Sequence, residues 1–418
     1  HFSDLVCQGF RVSEILGDRV SMEAFKERRD SRKSPRMKAW IFGRFGLITF
    51  LISTFCLYFF AFYFDFNIRN IPMFRTIMSG NGYEKTIVNT TKTILFWNSM
   101  FGDPTFYFGD GDIFHDCPVN DCFATHDRNY MDSSKFDAIL FHGNELELED
   151  LPEDRQPEQR YVYVNLESPE NRPLVNEFYE DYFNLTMTYR LDSDVPYTYG
   201  TLVFLIRVVH VLRDKLEWLK KAVSWFVSFC HAKSGRSEYV KELSRYIEVD
   251  VYGKCGDYSC PRGRDCLGEV VEPNYFFYLS LENSLCQDYV TEKLYNPLRY
   301  NVVPIVYGGA NYTLFAPHHS YVNILDFDSP KDLARYLKKL MENPGEYKKY
   351  FEWKTRYKIE SGTRGAACKL CEFLHERNDT RIYDPLSDWY SHGKCPLQRT
   401  LRIFNQHYAT RSTLKNRG

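Results

Sequence analysis

Between residues 275 and 309 the chain reads YFFYLSLENSLCQDYVTEKLYNPLRYNVVPIVYGG, and a polar middle holding Glu282, Asn283, Asp288, Tyr289, Glu292 and Lys293 sits between two strand-like apolar ends. A strand that delivers Glu282 and Asn283 to a loop, with a helix starting near Tyr289, sets these groups at the carboxyl edge of a sheet. Open α/β folds bind ligands there. A helix N-terminus offers free N–H groups and partial positive charge, which suits phosphate. Lys293 adds a full charge, and Tyr289 a hydroxyl donor or a ring face. Glu292, an acceptor only when ionised, suits sugar or ribose hydroxyls. The ligand that answers all of them is a nucleotide sugar. No G-x-x-x-x-G-K-[ST] loop is present, so an ATPase reading has no support.

Metal chemistry has a weaker claim. Three D-x-D tripeptides occur, at Asp110/Asp112, Asp192/Asp194 and Asp326/Asp328, whereas chance alone supplies about two in a chain of this composition. His115, His126, His142, His318 and His319 lack metal-type spacing on one helix face. The expectation is no essential bound metal, with manganese at most stimulatory.

The elements that must carry these groups form two series. In the first, KTILFW from residue 92, FDAILFH at 136–142 and RYVYVNLES at 160–168 read as strands separated by loops or amphipathic stretches. In the second, VSWFVSFC near 223, a helix at about 236–247, EVDVYG, the stretch quoted above and YVNILDF follow in turn. SPKDLARYLKKLMENP then opens a helix with Ser329 as N-cap and Pro330 at the first position. Strands alternating with helices give parallel sheets. The chain therefore reads as two α/β domains, 92–215 and 216–360, joined by an apolar linker helix at 201–221 and followed by a cysteine-containing tail at 361–418.

Ahead of them, residues 45–64 are twenty uncharged, mostly apolar positions, the length of a transmembrane helix. Lys33, Arg36, Lys38 and Arg44 precede the span and only Arg69 follows closely. That asymmetry makes residues 1–44 a cytoplasmic tail, in which Met37 would start a shorter one, and places the stem (65–91) and body in the lumen. Ten of the 12 cysteines follow the span, where an oxidising compartment makes disulfides the default. The N-x-S/T sequons at Asn89, Asn184, Asn311 and Asn378 lie on the same side. With 418 residues and a net charge of -2, the chain has no global positive field to suggest nucleic acid.

FYLSLENSLCQDYVTEKLYNPLRYNVVPIVYGGANYTLFAP resembles the donor-binding signature of the α1,3-fucosyltransferase family, inverting enzymes that use GDP-fucose. The likeness continues in LFWNSMFG, DCFATHDR, YVYVNLESPEN, NLTMTYRLDSDVPYTYG, SGRSEYVKEL and VDVYGKCG, over roughly residues 92–360. It implies a GT-B fold, in which two Rossmann-like domains face across a cleft, the first of them on the acceptor side. It also implies that Arg236, Asn283, Tyr289, Glu292 and Lys293 contact GDP-fucose, with Glu282 on the same loop, and that Glu167 of the ESP block is the general base. The acceptor would be GlcNAc of glycoprotein or glycolipid glycans, the compartment the Golgi membrane in type II orientation, and a homodimer is an expected assembly. Phe229 stands where the family usually has Asn, FHGNEL replaces a His-His-Arg or His-His-Trp-Asp block, and 201–214 has no counterpart. These departures keep a second class open, a catalytically lapsed membrane-anchored glycan-binding or scaffold protein of the same fold.

Overall fold

The computed structural model describes residues 91–174, 179, 181–205, 221–261, 263–376, 385–391 and 394–395. Contacts divide the chain into His1–Ile87 and Val88–Gly418, and every described residue belongs to the second unit. The expected span at 45–64, the cytoplasmic tail and residues 65–90 of the stem lie outside the described residues. Among the described residues no helix is long and apolar enough to cross a membrane.

The first series forms one parallel sheet of β1 (Lys92–Phe96), β2 (Cys122–Thr125), β3 (Ala138–His142), β4 (Arg160–Asn165) and β5 (Leu185–Thr188), in the order β2-β1-β3-β4-β5. Every residue of β3, β4 and β5 is buried. Parallel sheets covered on both faces produce continuous apolar runs such as AILF and YVYV.

The second sheet takes β7 (Lys221–Phe226), β8 (Val249–Tyr252), β9 (Tyr275–Leu281), β10 (Val303–Tyr307) and β11 (Val322–Asn323) in the order β11-β10-β9-β7-β8, again all parallel. Helix α1 (Arg236–Leu243) follows β7 and α2 (Glu292–Leu298) follows β9. Helix α3 (Pro330–Met341) begins as its sequence predicts: the Ser329 hydroxyl accepts from the Asp332 N–H, and Leu333, Ala334, Leu337 and Leu340 turn inward. The short α4 (Pro344–Lys349) follows it.

Two expectations change. The apolar run from 201 begins as strand β6 (Gly200–Phe204), paired antiparallel with β12 (Tyr357–Ser361), not as a linker helix. Its β-branched and aromatic residues suit a strand, and 206–220 lie outside the described residues. The segment read as a tail opens with α5 (Gly362–Glu376), which buries Ala366, Ala367, Leu370, Cys371 and Leu374 at helical spacing in the core of the first sheet. Cys117–Cys368 and Cys122–Cys371 clip α5 to that sheet. Cys230–Cys255, Cys260–Cys266 and Cys286–Cys395 complete the pairing of all ten cysteines from Cys117 onward. A last helix, α6 (Leu386–Ser391), returns to the first core through Leu386 and Tyr390.

Each sheet has one place where the chain reverses its direction of travel. In the first, β2 lies on one side of β1 and β3 on the other; in the second, β8 and β9 flank β7 in the same way. The carboxyl ends of strands at such a switch point are where open α/β sheets receive ligands. Arg236 follows β7 and Lys293 follows β9, so both groups belong to the switch point of the second sheet.

Candidate active site

On the β7 side the chain leaves the sheet and enters α1 through Gly235, whose φ of +74° is a left-handed conformation that glycine adopts without strain. No side chain caps α1, so its first N–H groups keep their partial positive charge. Arg236, the first residue of this helix, is only 4% exposed. Its Nη1 donates to the Leu281 carbonyl at 2.7 Å and its Nη2 to that of Phe229 at 3.1 Å, while Nε has no partner. Among the described residues no carboxylate lies within ion-pair distance of Arg236. Burial pushes the guanidinium below its ordinary pKa, partly offset by the more distant charges of Glu282 and Glu292. A buried cation without a counter-ion is costly to maintain, and an arriving anion would relieve it.

On the β9 side Glu282 is buried, and one oxygen accepts both the N–H of Thr291 at 2.8 Å and its hydroxyl at 2.9 Å. Lys293 Nζ stands 3.4 Å from the other oxygen and 3.0 Å from Glu292, and donates to the Thr291 hydroxyl at 2.9 Å. Burial alone would lower the lysine's pKa, but Glu282 and Glu292 outweigh it and hold the ammonium charged. Glu292 is half exposed, its side chain 51% accessible. Its surroundings push its carboxyl up, and Lys293 more than cancels this, so it stays ionised. Asn283 is half-buried with no partner on its Oδ1. Ser234 binds the two loops together, its hydroxyl donating to Glu282 O and its N–H to Asn283 O.

The first sheet contributes Glu167, just beyond β4. Its Oε1 accepts from the Ser168 N–H at 2.9 Å, Asn171 Nδ2 at 3.1 Å and the Tyr289 hydroxyl at 2.5 Å. The second oxygen takes no hydrogen bond from the described residues. Tyr390, on α6, donates to the Glu167 carbonyl. Cations and an uncapped helix on one sheet, with a half-buried carboxylate on the other, can stabilise a departing phosphate and remove a proton.

Two family models match the chain: fucosyltransferase N-terminal over residues 89–200, and glycosyltransferase family 10 (fucosyltransferase) C-terminal over residues 216–389. The α-(1,3)-fucosyltransferase C of Drosophila melanogaster is 35% identical over 355 residues, covering 77% of this chain and 83% of that one. The chain belongs to glycosyltransferase family 10, the fucosyltransferases. The 4-galactosyl-N-acetylglucosaminide 3-α-L-fucosyltransferase 9 of Mus musculus is 32% identical over 314 residues, 73% of this chain and 84% of that one. A crystal structure of an α1,3-fucosyltransferase with GDP covers 71% of this chain and 93% of its own at 14% identity, with a TM-score of 0.46.

Within this fucosyltransferase, Asn283, Glu292 and Lys293, which lie close along the chain, and Arg236, which the resemblance alone implies, meet at the ends of β7 and β9. Two residues read as donor contacts are buried and make contacts within the protein. Glu282 points inward, because a buried carboxylate needs the Thr291 and Lys293 donors it finds there. It thereby takes an N–H at the start of α2, so that helix end is not the open phosphate cradle the sequence suggested. The cradle's features belong to α1 instead, and the Ser-Gly before Arg236 was the available signal. Tyr289 is 1% exposed and its hydroxyl faces Glu167.

The unusual positions have physical accounts. Phe229 is 54% exposed, and its backbone carbonyl serves Arg236, so a side-chain amide is not required for that contact. In FHGNEL, a Cβ on Gly143 would fall 2.4 Å from the Tyr163 ring, which leaves no room for a second histidine. His142 is fully buried at the switch point of the first sheet with neither ring nitrogen partnered, and burial lowers its pKa to about 4. Ser99, after β1, donates to Glu145, after β3.

The sequons divide. Asn89 and Asn378 lie outside the described residues, and Asn311 is exposed. Asn184 is buried, with its Oδ1 accepting from the Tyr161 N–H and from Arg155, so the folded chain does not present it to a glycan. Of the D-x-D acids, Asp194 accepts from Thr186 and Asp192 pairs with buried Arg190. The Cys122, Cys371 and His375 cluster offers no thiolate, because both sulfurs are in the disulfide.

Proposed function

We propose that this chain transfers L-fucose from GDP-fucose to GlcNAc of glycoprotein or glycolipid glycans, in α1,3 linkage with inversion, across a GT-B cleft between the two sheets. The observation that carries this reading is Arg236, a buried cation with no carboxylate partner among the described residues, at the head of an uncapped helix. The diphosphate is its missing counter-ion, with Lys293 as second cation. Glu292 and Asn283 then face the fucose or ribose hydroxyls. Glu167 takes the proton of the acceptor hydroxyl as that oxygen bonds to fucose C1, and the electron pair of the breaking C1–O bond leaves with GDP. A single displacement of this kind inverts the anomeric centre. Side chains and the α1 dipole supply the charge that a metal would otherwise provide, so transfer needs no resident cofactor.

The test is transfer of radiolabelled fucose from GDP-fucose to a panel of GlcNAc-containing acceptors, with linkage analysis of the product. An α1,3-fucosyl product is expected. Acceptor binding with no turnover by folded protein would favour the lapsed glycan-binding alternative. The twenty apolar residues at 45–64 and the charges before them support a Golgi type II orientation. Cell-made protein should then lose apparent mass on N-glycosidase treatment, and an unchanged mass would count against luminal placement.

A further inference from the structure

We propose that Tyr289 is a positioning residue for Glu167, reaching from the second sheet to commit one carboxylate oxygen so that the other is presented to the acceptor hydroxyl. The inference rests on Glu167 as the base and adds what orients it. An sp² oxygen has two lone pairs, and Oε1 already receives three donors, from Ser168, Asn171 and Tyr289. Oε2 is left without a donor from the described residues. A carboxylate fixed this way cannot turn about its last torsion, which is how a base is held in reacting geometry before substrate arrives.

Tyr289 has little freedom to do anything else. A phenol has one proton to donate, and here it goes to Glu167 at 2.5 Å. The ring is buried and meets Tyr189 edge-on at 5.0 Å between centroids. Asp288, immediately before it, adopts φ +58°, uncommon for a residue other than glycine, and its carboxylate accepts from the Leu191 N–H. The same loop is tied to the first sheet by Ser284, whose hydroxyl donates to that of Ser168 at 2.6 Å, and to Cys395 through Cys286. The loop that follows β9, and thus carries the donor-side groups, also sets the base of the opposite sheet.

The titratable groups facing Glu167 are phenols: Tyr189, Tyr199, Tyr289 and Tyr390. Burial pushes each above its ordinary value, so all stay protonated through the acid range. From the second sheet Glu282 and Glu292 both act on Tyr199 and Glu282 acts on Tyr289, and Glu170 pairs with Lys233 nearby.

Tyr289→Phe keeps the ring and removes the donor. Losing a hydrogen bond to the ionised form disfavours that form, so the acid limb of the kcat profile should move to higher pH. We expect kcat to fall about 10- to 100-fold, with the Kd for GDP changed by less than about twofold. Adding Tyr289→Phe to Glu167→Gln should cost little more, because the carboxylate is already gone. Should Tyr289→Phe fail to fold, Asn171→Ala removes a second donor to the same oxygen and should shift the limb in the same direction. An unmoved limb with normal kcat, or a loss explained wholly by weaker GDP binding, would make Tyr289 a donor contact and end the proposal. Normal transfer by Glu167→Gln would instead remove the base itself, and the positioning role with it.

Discussion

Replacing Arg236 with Met should separate folding from donor binding, because the two depend on its charge with opposite sign. Without ligand, the guanidinium is buried with two carbonyl acceptors and no carboxylate partner among the described residues. Met keeps most of the aliphatic stem and removes the uncompensated charge, but leaves the Leu281 and Phe229 carbonyls without their donor. Relief of a buried charge and the loss of two hydrogen bonds, each worth about 1 kcal/mol, offset one another. The stability of the ligand-free protein should therefore change by about 1 kcal/mol or less.

With GDP present the balance differs. A charge-assisted contact to phosphate contributes about 1.5 to 3 kcal/mol, so its loss weakens GDP by a factor of roughly 13 to 160. At a GDP concentration one hundred times the parent's Kd, binding stabilises the parent by about 2.7 kcal/mol. At that same concentration the variant should gain only about 0.3 to 1.3 kcal/mol. Chemical denaturation with and without GDP, beside calorimetric titration, reads both quantities. A variant stabilised by GDP as much as the parent would show that the diphosphate does not reach Arg236, and the assignment of α1 as the phosphate site would be abandoned.

Two further outcomes are expected. Glu292→Gln should impair use of GDP-fucose more than binding of free GDP, since its partner is the sugar; equal weakening of both in titrations would return Glu292 to the phosphate side. His142 should make stability pH-dependent. Its folded pKa of about 4 lies below the ordinary 6.5, so the unfolded chain takes up the proton first, and stability present above pH 6.5 is lost as pH falls toward 4. The slope should reach about 1.4 kcal/mol per pH unit over that window. Urea unfolding of His142→Leu should show a flatter dependence there, and an unchanged slope would assign the titration to another group.

What the sequence disclosed and what it withheld follow from the range of the interactions involved. Strands buried on both faces announce themselves because they read as near-continuous apolar runs such as AILF or YVYV, and the Ser329 cap because its hydroxyl and the Asp332 N–H are three residues apart. The fate of 201–204 was ambiguous for the converse reason, since a short apolar run satisfies helix and strand alike until a partner is known. That partner, β12, lies some 150 residues further on and has no local signature. The same holds for α5, whose burial depends on a sheet built from the beginning of the described chain.

At the site the division runs through single side chains. The sequence could show that Glu282, Tyr289, Glu292 and Lys293 are close along the chain, but not which way each one turns. Direction is decided by which partners the folded chain brings within reach, near or far in sequence. Glu282 turns in because Thr291 and Lys293 satisfy it, whereas Tyr289 turns toward Glu167, 122 residues away. Arg236 is the instructive case. Its chain neighbours give no hint that it is buried, and only the fold reveals that the carboxylates close to it, Glu282 above all, are engaged elsewhere. A charge stranded in this way is difficult to explain as a stabilising feature of the empty protein. It becomes intelligible once the protein is expected to work with an anionic ligand, whose phosphate oxygens complete the coordination that the folded chain leaves open at Arg236 Nε and at the head of α1.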